Sequence, residues 1–315
     1  MEKSVAVTGR EGKKKKEKFT FGSKNIKYRI FVWSILSVQI VHFLIFWLYV
    51  NFDSIMLAFK NSSGGIEYWT TENFVWVFKE LFHPQNDSLQ LAFINTMKFF
   101  LMNVIIFPLG LFYAYAFYKK MPGRSFYRLM FYIPVIVSGV VMSTFYRYML
   151  QPKGPIGLLY TNLTGEIAPS FLREKEYALK AVMIYSLWAG ISGNLLVVGG
   201  ALARIPPEII ESGKMDGIGW LREMWQLCIP IAWPTVSIIL LMMIANIFNT
   251  TGDILLLTGG YGDTTTISYW LFTQIKFQSS YYRPSAFGLV LTAIAIPLML
   301  VTRHFLDKIY ADVEY

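Results

Sequence analysis

Cysteine occurs once in the 315 residues, at Cys228, and histidine three times, at His42, His83 and His304. A single thiol excludes an internal disulfide, and three scattered histidines form no cluster at metal-ligand spacing. A Gly-x4-Gly-Lys-Ser/Thr phosphate loop is missing. The nearest text, Gly9-Arg-Glu-Gly12-Lys13-Lys14, lacks both the spacing and the hydroxyl, so the chain does not hydrolyse ATP by that route. There is no Gly-x-Ser-x-Gly nucleophile elbow either. No catalytic residue and no metal ligand is therefore expected, and no cofactor bound by this chain.

Charge is absent from six long stretches: Ile30 to Val50, Phe99 to Tyr118, Leu129 to Tyr146, Ala181 to Ala203, Leu227 to Gly252 and Ser285 to Thr302. Each approaches or exceeds the roughly 18 to 20 residues that cross a hydrocarbon core about 30 Å thick. With 54% hydrophobic and 17% aromatic residues and a mean hydropathy of +0.42, the composition is too apolar for an ordinary soluble domain of this length. The expectation is an all-α, polytopic membrane protein with six transmembrane helices, its partner along most of its surface being the lipid bilayer. The first apolar run exceeds the roughly 7 to 15 residues of a signal-peptide core and is expected to remain in the mature chain.

The net charge is +9, and its distribution argues against nucleic acid as a partner. Residues 1–29 hold ten Lys and Arg, including Lys13 to Lys16 and Lys18, immediately before the first apolar run. Positive residues there read as a cytoplasmic retention signal, and the tail is too polar to fold alone. Six spans then return the C-terminus to the cytoplasm, and Lys119, Lys120, Arg124 and Arg128 between the second and third runs agree with that orientation. In the segment after the first run, Phe74-Val-Trp76-Val-Phe78 is expected to form a short amphipathic or interfacial piece. Pro108 and Gly110 are expected to bend the second helix.

The densest polar interruption lies between the fourth and fifth runs. Arg204-Ile-Pro206-Pro207-Glu208 leads into Glu211-Ser-Gly213-Lys-Met-Asp216-Gly217-Ile-Gly219, and Leu227-Cys-Ile-Pro230 follows. The prolines suit a helix start, Glu208 and Glu211 then lie near the positive end of its dipole, and Met215-Asp216-Gly217 suits a turn. A second short helix from Gly219, with Trp220, Leu221, Met224 and Trp225, is expected to run along the membrane surface. The spacing of Glu211, Asp216, Gly217 and Pro230 resembles the EAA loop of ATP-binding-cassette importer permeases: Glu-Ala-Ala, three residues, Gly, then about eleven residues to an apolar-Pro pair. Ser212 and Gly213 stand where the pattern has two alanines, which weakens the first helix. Asn95-Thr96, Gly123 to Arg128, Tyr132-Ile-Pro134 and Gly154-Pro155 also sit where the carbohydrate-uptake branch of that family places similar residues, so the resemblance covers about Ala92 to Phe305.

The resemblance implies the type I ABC importer permease fold. It also implies a division into a cytoplasmic basic tail (1–29), a first transmembrane helix with an external loop (30–91), and a permease core (92–315) with its cytoplasmic coupling loop at 204–226. Glu208, Glu211, Gly213, Asp216 and Gly217 would form the ATPase-coupling surface, Glu211 pairing with a basic residue of the ATPase. The implied partners are a second permease subunit, a paralogue in this branch, two ATPase subunits carrying the ATP and Mg, and an external solute-binding protein. All of this belongs to the cell membrane of a prokaryote.

For the solute, the spans offer amides and hydroxyls. Asn103, Asn194, Asn246, Asn249 and Asp253 are the candidate substrate pathway, with Trp188, Tyr113, Tyr146 and Phe248 as aromatic lining; neutral, many-hydroxyl sugars suit such a set. Asn246, Asn249 and Asp253 recur at three- and four-residue intervals, which is expected to put all three on one face of a helix. An ion-gradient-driven secondary transporter is the rival reading. It needs an intramembrane ion site, for which Asp253 is the single candidate carboxylate.

Overall fold

The computed structural model describes residues 26–82, 87–278 and 281–309; the lysine tail lies outside them. The chain divides into one unit ending at Asp53 and a second from Ser54 onward. In the first, α1 (Ile26–His42) passes into a π-helical stretch (Phe43–Tyr49), and α2 (Val50–Ala58) carries the chain across the boundary. Its large apolar side chains, Ile30, Trp33 and Phe46 among them, are exposed. A helix apolar on every side belongs in lipid.

The second unit opens with a hairpin that the all-α expectation did not contain. Strands β1 (Lys60–Ser63) and β2 (Ile66–Trp69) pair antiparallel through Gly64 and Gly65, both at positive φ, the backbone a two-residue hairpin turn demands. Buried Asn73, at the start of α3 (Glu72–Phe82), donates to the carbonyls of Ala58 and Lys60 at 3.0 and 2.7 Å. α3 is amphipathic as expected, with Val77 buried and Val75 and Phe78 exposed.

The core is built on α4 (Asp87–Tyr118) and α8 (Ala178–Leu202), which pack along much of their length. Small residues permit the close approach: a Cβ on Gly110 would stand 2.7 Å from Asn194 Cβ, and one on Gly190 3.1 Å from Ile106. Apolar helices gain little from hydrophobicity against one another in lipid, so close van der Waals contact is what holds such a pair. Asn95 and Thr96 near the start of α4 serve the loop before α13 (Ile267–Gln278). The Asn95 amide donates to the carbonyls of Asp263 and Thr265 at 2.7 and 3.0 Å, and Thr96 Oγ1 accepts from the Ile267 N–H.

Two of the six expected spans are not continuous helices. Leu129 to Tyr146 falls on α5 (Arg124–Ile136) and α6 (Gly139–Met149), which meet at 114°. Val137 and Ser138 between them are extended. Pro134 lacks the N–H that would bond the Met130 carbonyl; that carbonyl instead accepts the Trp188 indole N–H at 3.3 Å. Trp188 therefore repairs a proline gap. Leu227 to Gly252 is also broken. α9 (Pro207–Met215) is followed by α10 (Trp220–Glu223), a π-helical turn (Met224–Cys228) and α11 (Ile229–Ala245), after which the helix stops and α12 (Thr251–Leu257) starts anew. Trp220 to Ala245 forms one stretch long and apolar enough to cross a membrane, so the helix from Gly219 is continuous with the fifth apolar run. α7 (Pro155–Thr164) is too short to span; with α14 (Tyr282–Ile309), the described residues hold five stretches long and apolar enough to cross a membrane, and six if α5 and α6 count as one.

Candidate functional site

The α9 hairpin is closed by backbone bonds that its sequence dictates. Pro207 takes the first helical position after Pro206, where a missing N–H costs nothing. At the other end, Ile218 N–H bonds the Gly213 carbonyl at 3.1 Å and Gly217 N–H the Lys214 carbonyl at 3.0 Å, with Gly217 at φ +71°. This is a Schellman closure, whose left-handed residue is glycine because a Cβ there is strained. The inner face of α9 is Ile210, which joins a core with Leu111, Tyr115, Leu202 and Cys228, and Gly213. A Cβ on Gly213 would stand 2.6 Å from Leu227 Cδ1, so at least that methyl would have to move for an alanine. The helix runs through both Ser212 and Gly213. Glu208, Glu211, Asp216 and Gly217 are all exposed. The hairpin thus buries one apolar face and presents its carboxylates outward.

An ion pair absent from the sequence reading fixes the hairpin's exit. Lys119, just past the end of α4, places Nζ 2.8 and 2.9 Å from the two Glu223 oxygens, and the Glu223 side chain is only 4% exposed. Beside it, the Tyr115 hydroxyl donates to the Trp220 carbonyl at 3.0 Å, and the Tyr115 and Phe112 rings close on the Trp220 ring at 5.1 and 5.4 Å. Residues 104 positions apart leave no local signal. The one hint available was an acid at the mouth of an apolar span.

The five candidate pathway residues converge on two neighbouring cavities. Asn103, Asn246, Asn249 and Asp253 line one of about 290 Å³, together with Ser186 and Gly190. Asn103, Asn194 and Asn246 line another of about 260 Å³. The route to this convergence differs from the expected one. Asn246 ends α11 and Asp253 lies in the first turn of α12, so the three residues do not share a helical face; the chain break turns them into one place. Asn249 donates to the Asn246 side-chain oxygen at 3.3 Å, and the Ser186 hydroxyl to the Asp253 carboxylate. Asn246 and Asn249 are otherwise exposed. Amides facing lipid would each cost several kcal/mol by order of magnitude, so this break faces a wet space or another polypeptide. The expected aromatic lining does not reach it. Tyr146 donates its hydroxyl to the Ala181 carbonyl at 2.9 Å, Tyr113 packs on Phe131, Phe248 joins the cluster of Trp270 and Phe287, and Trp188 serves α5.

No family model matches the sequence. The chain is 25% identical over 262 residues to the permease MsmF of a multiple sugar-binding transport system in Streptococcus mutans, covering 79% of this chain and 86% of that protein. It is also 25% identical over 298 residues to UgpA, the sn-glycerol-3-phosphate transport system permease of Brucella suis, covering 93% and 98%. Among solved structures it superimposes, with a TM-score of 0.76 and 21% identity over 90% of this chain and 97% of the other, on a chain of a bacterial ABC transporter that imports the acidic polysaccharide alginate. Curated permeases of one type along nearly the whole length, joined to that shared helical fold, leave no support for a secondary transporter. The chain is similar along most of its length to permease subunits of ABC importers and has the all-α, multi-pass membrane fold of one.

Proposed function

We propose that this chain is the membrane subunit of an ATP-driven importer of sugars, oligosaccharides in particular, and that the α9 hairpin receives the motion of the ATPase. The observation that carries the reading is the construction of that hairpin: its backbone is closed on itself, its apolar face is seated in the core, and Glu208, Glu211 and Asp216 are left outward. A rigid element with free carboxylates is suited to docking in a basic cleft.

Residues 92–315 act as the permease core and 204–226 as its coupling loop, with the tail 1–29 and both termini cytoplasmic, in the cell membrane of a prokaryote. Two ATPase subunits carry ATP and Mg; a second permease subunit, a paralogue, completes the pathway, and an external binding protein delivers the solute. Exposure of Asn246 and Asn249 supports a pathway shared with a second chain, because amides at that depth require covering. The sugar class is supported by MsmF among the relatives and by the neutral amides of the two cavities.

Orientation is the premise that fails most visibly. In a Cys228→Ser background, a cysteine at Asn61 is expected to react with an impermeant thiol reagent added outside intact cells, and one at Lys120 to react only after permeabilisation. The reverse pattern would put α9 outside, away from any ATPase, and would end the importer reading.

A further inference from the structure

A larger cavity, of about 490 Å³, lies away from the amide pair, between the last turn of α6, the segment around Ser170 to Arg173 and the turn after α12. It falls within the roughly 300 to 1,000 Å³ of small-ligand sites. Arg147, Gln151, Ser170, Arg173, Thr258 and Tyr261 supply its polar groups. The Arg173 guanidinium sits 5.8 Å from the Tyr261 ring centre, and Tyr261 itself is 66% exposed. The nearby carboxylates are committed elsewhere: Glu174 accepts the Ser170 N–H at 2.7 Å and Asp263 pairs with Lys175 at 2.9 Å. Among the described residues neither arginine has an ion-pair partner.

We propose that this cleft binds the carboxylate of an acidic sugar before it enters the passage, which makes the preferred solute anionic. The inference rests on the sugar-importer reading and narrows it. Arginine forks match a carboxylate bidentately, an exposed tyrosine ring offers an apolar face for a pyranose ring, and Gln151 and Ser170 suit hydroxyls. The amide cavities, by contrast, hold no cation; their one charged group is the Asp253 carboxylate. Charge is therefore selected at the cleft, separately from passage. An acidic protein surface would also seek two arginines, but a concave site with a ring on its wall favours a small ligand over a flat protein face.

The test is equilibrium binding of trigalacturonate and of neutral maltotriose to the full-length chain in lipid nanodiscs, at low and high salt. Trigalacturonate is expected to bind more tightly than maltotriose, in a salt-sensitive manner. Arg147→Gln and Arg173→Gln should each weaken it about tenfold, as expected for one lost charge-assisted contact, with maltotriose unaffected. Arg147→Lys and Arg173→Lys, which keep the charge, should recover part of the loss and show that folding is intact. Equal affinity for the two sugars, absence of binding by either, or trigalacturonate binding unchanged in both glutamine variants would overturn the proposal. If those variants bind trigalacturonate normally yet lose uptake of every sugar in the assembled complex, the cleft is a protein contact and the proposal is again wrong. Uptake of neutral sugars by the wild-type complex would leave the importer reading standing in each of these cases; a complex that moves no sugar of either charge would remove that reading itself.

Discussion

The α9 end of the core and the break between α11 and α12 are built on opposite plans. At the α9 end, backbone groups are closed in a Schellman turn, Lys119 and Glu223 satisfy each other under cover, and three aromatic rings grip the entry to the fifth span. At the break, Asn246 and Asn249 stand exposed, and among the described residues their side chains bond each other and local backbone. One region is complete within a single chain. The other is left for something else to complete. Under the proposed function, the difference separates where force would enter from where cargo would pass: a stiff element transmits displacement, while a polar gap in a hydrophobic span would exchange partners as solute moves through.

The largest expected effect comes from breaking the stiff region from inside. Glu223→Ala would strand the Lys119 ammonium beside an apolar core, and losing one member of such a pair costs about 3 to 5 kcal/mol. A thermal unfolding series in detergent should show a marked drop, with partial recovery in the exchanged pair Lys119→Glu/Glu223→Lys. A melting temperature unchanged by Glu223→Ala would mean that the pair contributes nothing to the rigidity described here.

Next in size is the turn itself. Proline at Gly217 cannot adopt φ +71° and removes the N–H that bonds Lys214, a cost of about 3 kcal/mol or more; Gly217→Ala should cost only about 1 to 2 kcal/mol. Uptake should therefore vanish in the first variant and persist in the second, with both present in the membrane by immunoblot. Equal behaviour of the two would mean that the left-handed backbone is irrelevant.

The polar gap should respond differently. Asn246→Leu and Asn249→Leu are expected to reduce sugar uptake severalfold while the purified complex keeps its subunits and basal ATPase rate. If the complex dissociates instead, these amides are interhelical adhesive and the contrast between the two regions collapses.

The smallest effect lies at the β-hairpin. Glu67 accepts hydrogen bonds from Lys60 and from Tyr282, each at 3.1 Å, and the Lys60 bond above all holds its carboxyl below the usual carboxylate range. A lowered folded value means a contribution that is present in full above the ordinary range and lost as pH falls through the folded value. Because the Glu67 side chain is half exposed, the effect is slight. Glu67→Gln should leave stability at pH 7 nearly unchanged and flatten whatever acid dependence the hairpin shows in amide exchange; a large loss at pH 7 would contradict this.

How much of this was legible depended on the range of the signals. The α9 hairpin was readable because proline, acid and glycine act within a turn or two. The run-based span count was readable too, as apolar length is a property of the segment alone. The breaks at Val137–Ser138 and after Ala245 were not, because hydropathy is blind to φ and ψ; Pro134 was noticed, but the indole that completes its carbonyl comes from Trp188, 58 positions away. The same blindness made Asn246, Asn249 and Asp253 look like one helical face although a bend gathers them. Gly64-Gly65 was a hairpin signal overlooked in a chain read as wholly helical.

The central claim is that ATP drives this permease through Glu211 on α9. It is tested most directly by reconstituting the affinity-purified complex, with its copurified ATPase and the solute-binding protein, in liposomes and measuring solute uptake with either ATP or an ion gradient as the sole energy source. Uptake should require ATP, ignore the gradient, and fall about tenfold or more in Glu211→Ala, as removal of a charge-assisted contact implies. Gradient-driven uptake without an ATPase, or full ATP-driven uptake by Glu211→Ala, would contradict it.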